Sequence, residues 1–252
     1  MLEPTFTEPT NVTVHDGASF VEKDHIYLGS NVEILPSAVL DASNGPIYIG
    51  DNCRIESHAA IYGPVYIGPN STVLAGKVST SSIGDTCKVG GEVEWTIFHS
   101  YVNKYHDGFV GHSYVGQWVN FGAMTTNSDL KNNYSQIRTR LNGKAVDTNS
   151  NKVGSFIGDH TKFGIGTLLN TGINIGVCCN LFGGNLITDK EVKSFSWGNS
   201  ANYKKYDIEK VIETAKIVTS RRGIELSERE EELLRNIANE QTNSDGIFEI
   251  KI

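Results

Sequence analysis

SFIGDHTKFGIGTLLNTGINIGVCCNLFGGNLI, residues 155–187, places Ile157, Phe163, Leu169, Ile175, Leu181 and Ile187 at intervals of six. A period of six is neither the 3.6 of an amphipathic helix nor the alternation of a half-buried strand. It is the mark of a parallel β-helix, in which each hexad supplies one short strand and one corner and three hexads close a triangular coil. The spacing extends outward to Leu28, Ile34 and Leu40, to Ile49, Ile55, Ile61, Ile67 and Val73, to Ile83 and Val89, and more loosely to Val110, Val115 and Phe121. Of these nineteen positions eleven are followed by glycine, at 29, 50, 68, 84, 90, 111, 116, 122, 158, 164 and 176. Glycine suits a corner whose backbone angles a Cβ would penalise. The fifth residue of each hexad also points inward and must be small, because equivalent positions stack at the inter-strand spacing. Ala38, Cys53, Ala59, Val65, Ser71, Cys87, Thr161, Thr167 and Cys179 fall there. The expected fold is an all-β solenoid, a left-handed parallel β-helix of hexapeptide repeats with C-terminal α-helices.

Around this repeat the chain divides into an N-terminal segment at 1–27, the β-helix at 28–194 with loops at 95–109 and 126–156, and a helical extension and tail at 195–252. In the second loop, Gln136 to Leu141 and Lys144 to Thr148 flank Asn142-Gly143, the pair favoured in type I′ turns, so a hairpin is expected there. After Ile187 the period changes to 3.6: Ile208, Val211, Ile212, Ala215 and Val218 share one helical face. Ser227 with Glu230 forms a capping box for a second helix, which would carry Leu233, Leu234 and Ile237 inward. The helices are expected to cover the open end of the prism, where strand edges are otherwise unpaired.

With 252 residues, 38% of them hydrophobic, the chain is long enough for a continuous core. Its net charge of −7 gives no electrostatic footprint for nucleic acid or an anionic membrane, so neither is an expected partner. Met1 to Thr10 is polar, and no run has the length and apolarity of a membrane span, which leads to a cytoplasmic expectation. Cys53, Cys87 and Cys179 occupy the small inward slot as compact, inert thiols. Cys178 lies outside that slot and is expected to be more exposed.

Seven histidines are present, at 15, 25, 58, 99, 106, 112 and 160. The stretch from Gly91 to Ile187 contains GEVEWTI (91–97), HDGFVGHSYVGQWVNFGAMT (106–125), RTRLNGKAV (138–146) and GSFIGDHTKFGIGTLLNTGINIG (154–176). These motifs resemble the acetyltransferase half of the bifunctional enzymes that make UDP-N-acetylglucosamine. The resemblance is closer still to the archaeal-type sugar-1-phosphate nucleotidyltransferase/acetyltransferases. It implies a CoA-dependent acyltransferase, specifically an N-acetyltransferase of an amino sugar, sugar phosphate or nucleotide sugar, working as a homotrimer with acetyl-CoA as cosubstrate. By the resemblance His106 is the general base and the backbone N–H of Ala123 stabilises the oxyanion. Acetyl-CoA would lie along Gly164-Ile165 and Phe182-Gly183.

The substrate contacts implied in the same way are Glu94, Phe109, Asn120 and Asp129. Three of them depart from the family's pattern: Phe109 stands where an aromatic hydroxyl is expected, Asp129 where an asparagine is, and Glu94 where a phosphate-binding lysine is. A phosphorylated acceptor would then need another cation, such as Lys104, Lys131 or Arg138. Nucleotidyl transfer would need a separate nucleotidyltransferase chain. The alternative reading is a non-catalytic β-helix that binds a sugar nucleotide or such a partner. A zinc enzyme on this scaffold needs three convergent imidazoles. The repeat places no third beside His106 and His112, so no metal is expected.

Overall fold

Stacked hexads put each apolar column on one inner wall of the prism, and the computed structural model, which describes residues 9–245, follows this arrangement through about ten coils. Residues 1–8 and 246–252, the outer parts of the N-terminal segment and of the tail, lie outside the described residues. On the first face Leu28, Ile49, Ile67, Ile83, Phe98, Val115, Ile157, Ile175 and Val192 pair in parallel register. The second face carries Val14, Ile34, Ile55, Val73, Val89 and Lys104, then Phe121, Phe163 and Leu181. The third carries Phe20, Leu40, Ile61, Val78, Val93 and Val110, then Asn127, Leu169 and Ile187.

Many strands are only two residues long, so it is the continuous column that holds the fold. Each fully buried Val, Leu or Ile contributes about 1.5–3 kcal/mol. All nine small-slot residues are buried. The thiols among them are pushed up by burial, Cys53 to about 11 and Cys87 and Cys179 to about 12.

The third face is interrupted between Val110 and Asn127, where side chains replace the backbone ladder. Asn127 Oδ1 accepts from the Gly111 N–H at 2.8 Å, and its Nδ2 donates to the Gly111 carbonyl at 3.0 Å. Thr126 Oγ1 does the same for Phe109, accepting from its N–H and donating to its carbonyl.

Several sequence expectations are corrected. The solenoid starts at Thr13 rather than 28, because Thr13–Val14, Ser19–Val21 and Ile26–Leu28 already pair with the next coil. The 3-10 turn at Lys23–His25 breaks the six-residue count and conceals this coil. Residues 95–109 are not a loop: Ile97–Phe98 and Asn103–Lys104 are strands in register with their neighbours. Spacings of four and five residues, together with a lysine in an inward column, hide that coil from a six-residue search. Residue 126 is likewise still in the solenoid, since Thr126–Asn127 pairs with Leu168–Leu169.

The expected hairpin is present, with Arg138–Leu141 antiparallel to Lys144–Asp147 and positive φ at both Asn142 and Gly143. It lies along its own chain, where the Gly143 N–H donates to Glu191 Oε2 at 2.8 Å.

The helices do not close the prism's end. Helix α1 (Ile208–Ser220) and helix α2 (Glu228–Asp245) pack along its side, over the corner between the first and second faces. Tyr101, Trp118, His160, Cys178 and Phe195 stack at that corner, all with positive φ. The Tyr101 and Trp118 rings lie 4.0 Å apart, and Trp118 and His160 6.2 Å apart. Cys178 is therefore buried rather than exposed, its thiol pushed up to about 12. The β-helix also runs past 194 rather than giving way to helix at 195, because Ser196–Asn199 pairs with Asn180–Leu181 on the second face and Asn202–Lys205 adds to it antiparallel. In α2, Leu234 and Ala238 turn inward while Leu233 is 56% exposed, and the Ser227–Glu230 capping box forms as expected. Among the described residues no helix is long and apolar enough to cross a membrane.

The attachment of α1 depends on its first turn. Asp207 accepts from the Glu209 and Lys210 N–H groups there. Replacing an N-cap carboxylate by alanine costs about 0.5–2 kcal/mol. Asp207→Ala is expected to lower Tm by a few degrees, and circular dichroism melting that left Tm unchanged would remove the cap from the account.

Candidate active site

His106 sits just beyond the strand Asn103–Lys104, where the second face turns into the third. Its side chain is exposed, meets the Tyr105 ring edge to face and has no hydrogen-bond partner among the described residues. Its backbone is held firmly. Lys104, at an inward position between Val89 and Phe121, is 1% exposed. The ammonium donates to the Gly90 carbonyl at 2.8 Å and to the His106 carbonyl. Burial brings the Lys104 pKa down to about 8.

The next coil stacks directly on this turn. The Met124 N–H donates to the Asp107 carbonyl at 2.9 Å, and a Cβ on Gly108 would lie 2.1 Å from the Thr125 carbonyl oxygen, so only glycine permits the approach. The Ala123 N–H has no acceptor among the described residues. Gly122 in turn lies against Gly164 and Ile165, and Gly164 against Phe182. Ala123, Gly164-Ile165 and Phe182-Gly183 therefore form one stripe up a single corner, starting at His106. Ile165 on this stripe is 74% exposed.

On the second-face side of His106 runs a groove of about 650 Å³. Its floor is the outward row Lys88, Asn103, Asn120 and Lys162, and α1 contributes one wall with Thr214 and Val218, followed by Arg221 and Arg222. Asn103 Nδ2 donates to Asn120 Oδ1 at 2.8 Å. His106 and Asn120 thus share one cavity.

Glu94 and Asp129 lie elsewhere. They meet His112 at the corner between the third and first faces, and their ligand atoms fall within 4.8 Å of one another. His112 Nδ1–H donates to Asp129 Oδ2 at 2.7 Å, Lys77 is 3.7 Å from Glu94, and the exposed ring of Trp95 stacks on His112 at 5.8 Å. The trio has the donor set of a divalent cation site, yet Glu94 already faces the Lys77 ammonium and Asp129 already accepts from the His112 ring. Phe109, on the third face, folds its ring toward Gly111. Within one chain these three residues are not brought to His106.

Residues 46–78 match the family described as bacterial transferase hexapeptide (six repeats). The chain carries that hexapeptide repeat. It is similar to the bifunctional sugar-1-phosphate nucleotidylyltransferase/acetyltransferase of Sulfurisphaera tokodaii, 30% identical over 82 residues that make up 32% of this chain and 20% of that protein. The bifunctional protein GlmU of Acaryochloris marina is 31% identical over 172 residues, 68% of this chain and 29% of that protein. Among solved structures, the UDP-N-acetylglucosamine acyltransferase from Campylobacter jejuni aligns over 90% of this chain and 89% of that one, at 17% identity and a TM-score of 0.34. The hexapeptide-repeat chain spans between 20% and 29% of the length of these two curated relatives.

The cations of the groove escaped the sequence reading. Of those it offered, Lys104 is buried, Lys131 donates to the Gln136 carbonyl at 2.7 Å, and Arg138 pairs with Asp147 at 2.5 Å. Lys88, Arg221 and Arg222 line the cavity instead. Lys88 and Lys162 each stand immediately before an inward hexad residue of the second face, Val89 and Phe163, and that position is the signal that could have found them.

Proposed function

We propose that this hexapeptide-repeat chain is a CoA-dependent acyltransferase that N-acetylates an amino sugar or its phosphorylated or nucleotide-linked form. The observation that carries the reading is the unpartnered Ala123 N–H, fixed one coil above the turn of His106 and continuous with an open corner stripe. His106 would take the proton from the attacking amine, the role a positioned histidine side chain most often plays in proton transfer. The Ala123 amide would donate to the thioester oxygen as it becomes an oxyanion, and a fixed backbone donor needs no reorganisation to do so. Acetyl-CoA would run along Gly164-Ile165 and Phe182-Gly183, with Asn120 contacting the acceptor. Glu94, Phe109 and Asp129 would reach the acceptor only across a subunit boundary, in a homotrimer.

The test combines acetyl-CoA with a panel of amino sugars and their phosphates, following the free thiol of released CoA. Acetyl-CoA should also raise Tm, because a ligand that binds only the folded state stabilises it. Light scattering on the same sample should give three times the chain mass. Thiol release no faster than the uncatalysed rate with every acceptor, together with an unmoved Tm, would rule the reading out.

A further inference from the structure

We propose that the groove between α1 and the second face is a binding site for a phosphate-bearing ligand, with the phosphate at Lys88, Arg221 and Arg222. The remainder of the ligand would lie along Asn103 and Asn120 toward His106.

The charge distribution is the first argument. The chain has 29 acidic against 22 basic residues, yet among the described residues no carboxylate lines this groove. None of the three cations makes an ion pair among the described residues, whereas Arg54, Lys77, Arg138, Lys216 and Arg235 all do. Two arginines just past the C-terminus of α1 are also favoured by the negative end of its dipole. That accounts for Arg221 and Arg222 but not for Lys88, which comes from the solenoid and faces the same space.

The floor supplies the second argument. Register locks Lys88, Asn103, Asn120 and Lys162 into four successive rungs, every one able to hydrogen-bond and none acidic. Rungs are about 4.8 Å apart, so Lys88 lies about 10 Å from Asn120. That is the span of a phosphate and a sugar ring, with the ring left beside His106. Arginine pairs and a lysine are the groups that recognise phosphate oxygens by charge-assisted hydrogen bonds.

The site rests on the acyltransferase reading only for what becomes of the ligand; binding stands without it. A phosphorylated acceptor and the phosphates of coenzyme A share this chemistry, so both are tested. Calorimetric titration of the full chain would use glucosamine 1-phosphate, adenosine 3′,5′-bisphosphate and, as the uncharged-oxygen control, glucosamine. At least one phosphate probe should bind the wild type, weaken with salt and lose about tenfold or more in affinity in Arg221→Gln/Arg222→Gln. Lys88→Gln, which leaves the helix untouched, should act in the same direction, with melting curves confirming that both variants fold.

Loss confined to the sugar phosphate assigns the groove to the acceptor, and loss confined to the bisphosphate assigns it to the coenzyme. Failure of both phosphate probes to bind at millimolar concentration, or equal affinity in the wild type and both variants, would overturn the proposal. A wild type that binds phosphate but transfers no acyl group would sink the enzyme reading alone. A triple variant that acetylates phosphorylated acceptors with the wild-type KM for both the acceptor and acetyl-CoA would sink only the groove.

Discussion

His106→Ala is expected to lower kcat by about 10²–10⁴, the usual effect of removing a general base, while leaving the fold unchanged. The fold should survive because the imidazole is exposed and makes no hydrogen bond among the described residues, and surface substitutions of this kind usually stay within about 0.5 kcal/mol. The turn itself is fixed by backbone groups, through the Lys104 ammonium on the His106 carbonyl and the Met124 N–H on Asp107. Steady-state rates across the pH range decide the matter. A variant with wild-type kcat and an unaltered pH profile would take His106 out of the mechanism.

The second large effect concerns stability against pH. Burial lowers the Lys104 pKa from 10.5 to about 8 in the folded chain. Between these values the unfolded state holds the proton more tightly, so stability rises with pH across the window. The full penalty is present below about pH 8 and is gone above about 10.5. A shift of this size corresponds to about 3 kcal/mol. The buried cysteines act in the opposite direction, since their raised pKa values remove stability as pH climbs past their unfolded value.

Comparison with Lys104→Met isolates the lysine, because methionine keeps the bulk of the stem without the charge. The variant's stability relative to wild type should decline by about 3 kcal/mol between pH 8 and 10.5, measured by guanidinium unfolding. Parallel curves for the two proteins would show that Lys104 is not a buried cation at neutral pH.

Lys104 also shows where sequence reasoning loses its grip. The hexad period finds the columns wherever an apolar residue fills the inward slot, as at Ile157, Phe163 and Leu169. It fails at a coil that turns its corners with fewer residues and buries a lysine, and so 95–109 reads as a loop. The N-terminal coil is missed for a related reason, because the turn at Lys23–His25 displaces Leu28 from the register of Val14 and Phe20.

At the site, the residues of the corner stripe from Ala123 to Gly183 come from the family resemblance, and coil stacking is what lines them up. The groove was not legible in the sequence. Periodicity gives the buried face of α1 but says nothing of which wall that face covers, and the wall decides that Arg221 and Arg222 meet Lys88. The Glu94–His112–Asp129 cluster was invisible for a similar reason: its members are far apart in sequence, and only coil stacking makes them neighbours.

The uneven length of the coils has a consequence for how such a chain changes over generations. Ile83 to Phe98 takes fifteen residues, Phe98 to Val115 seventeen and Ile157 to Ile175 eighteen, yet the inward columns stay in register. All the difference is taken up at corners. Each coil also contacts mainly the coils before and after it, so a disturbance fades along the axis instead of spreading through a shared centre. Residues can therefore be gained or lost at one corner, as in the 25 extra residues that separate Val115 from Ile157 relative to the preceding coil, without re-registering the rest. A lineage bearing this architecture can vary its ligands corner by corner while the prism that supports them stays the same.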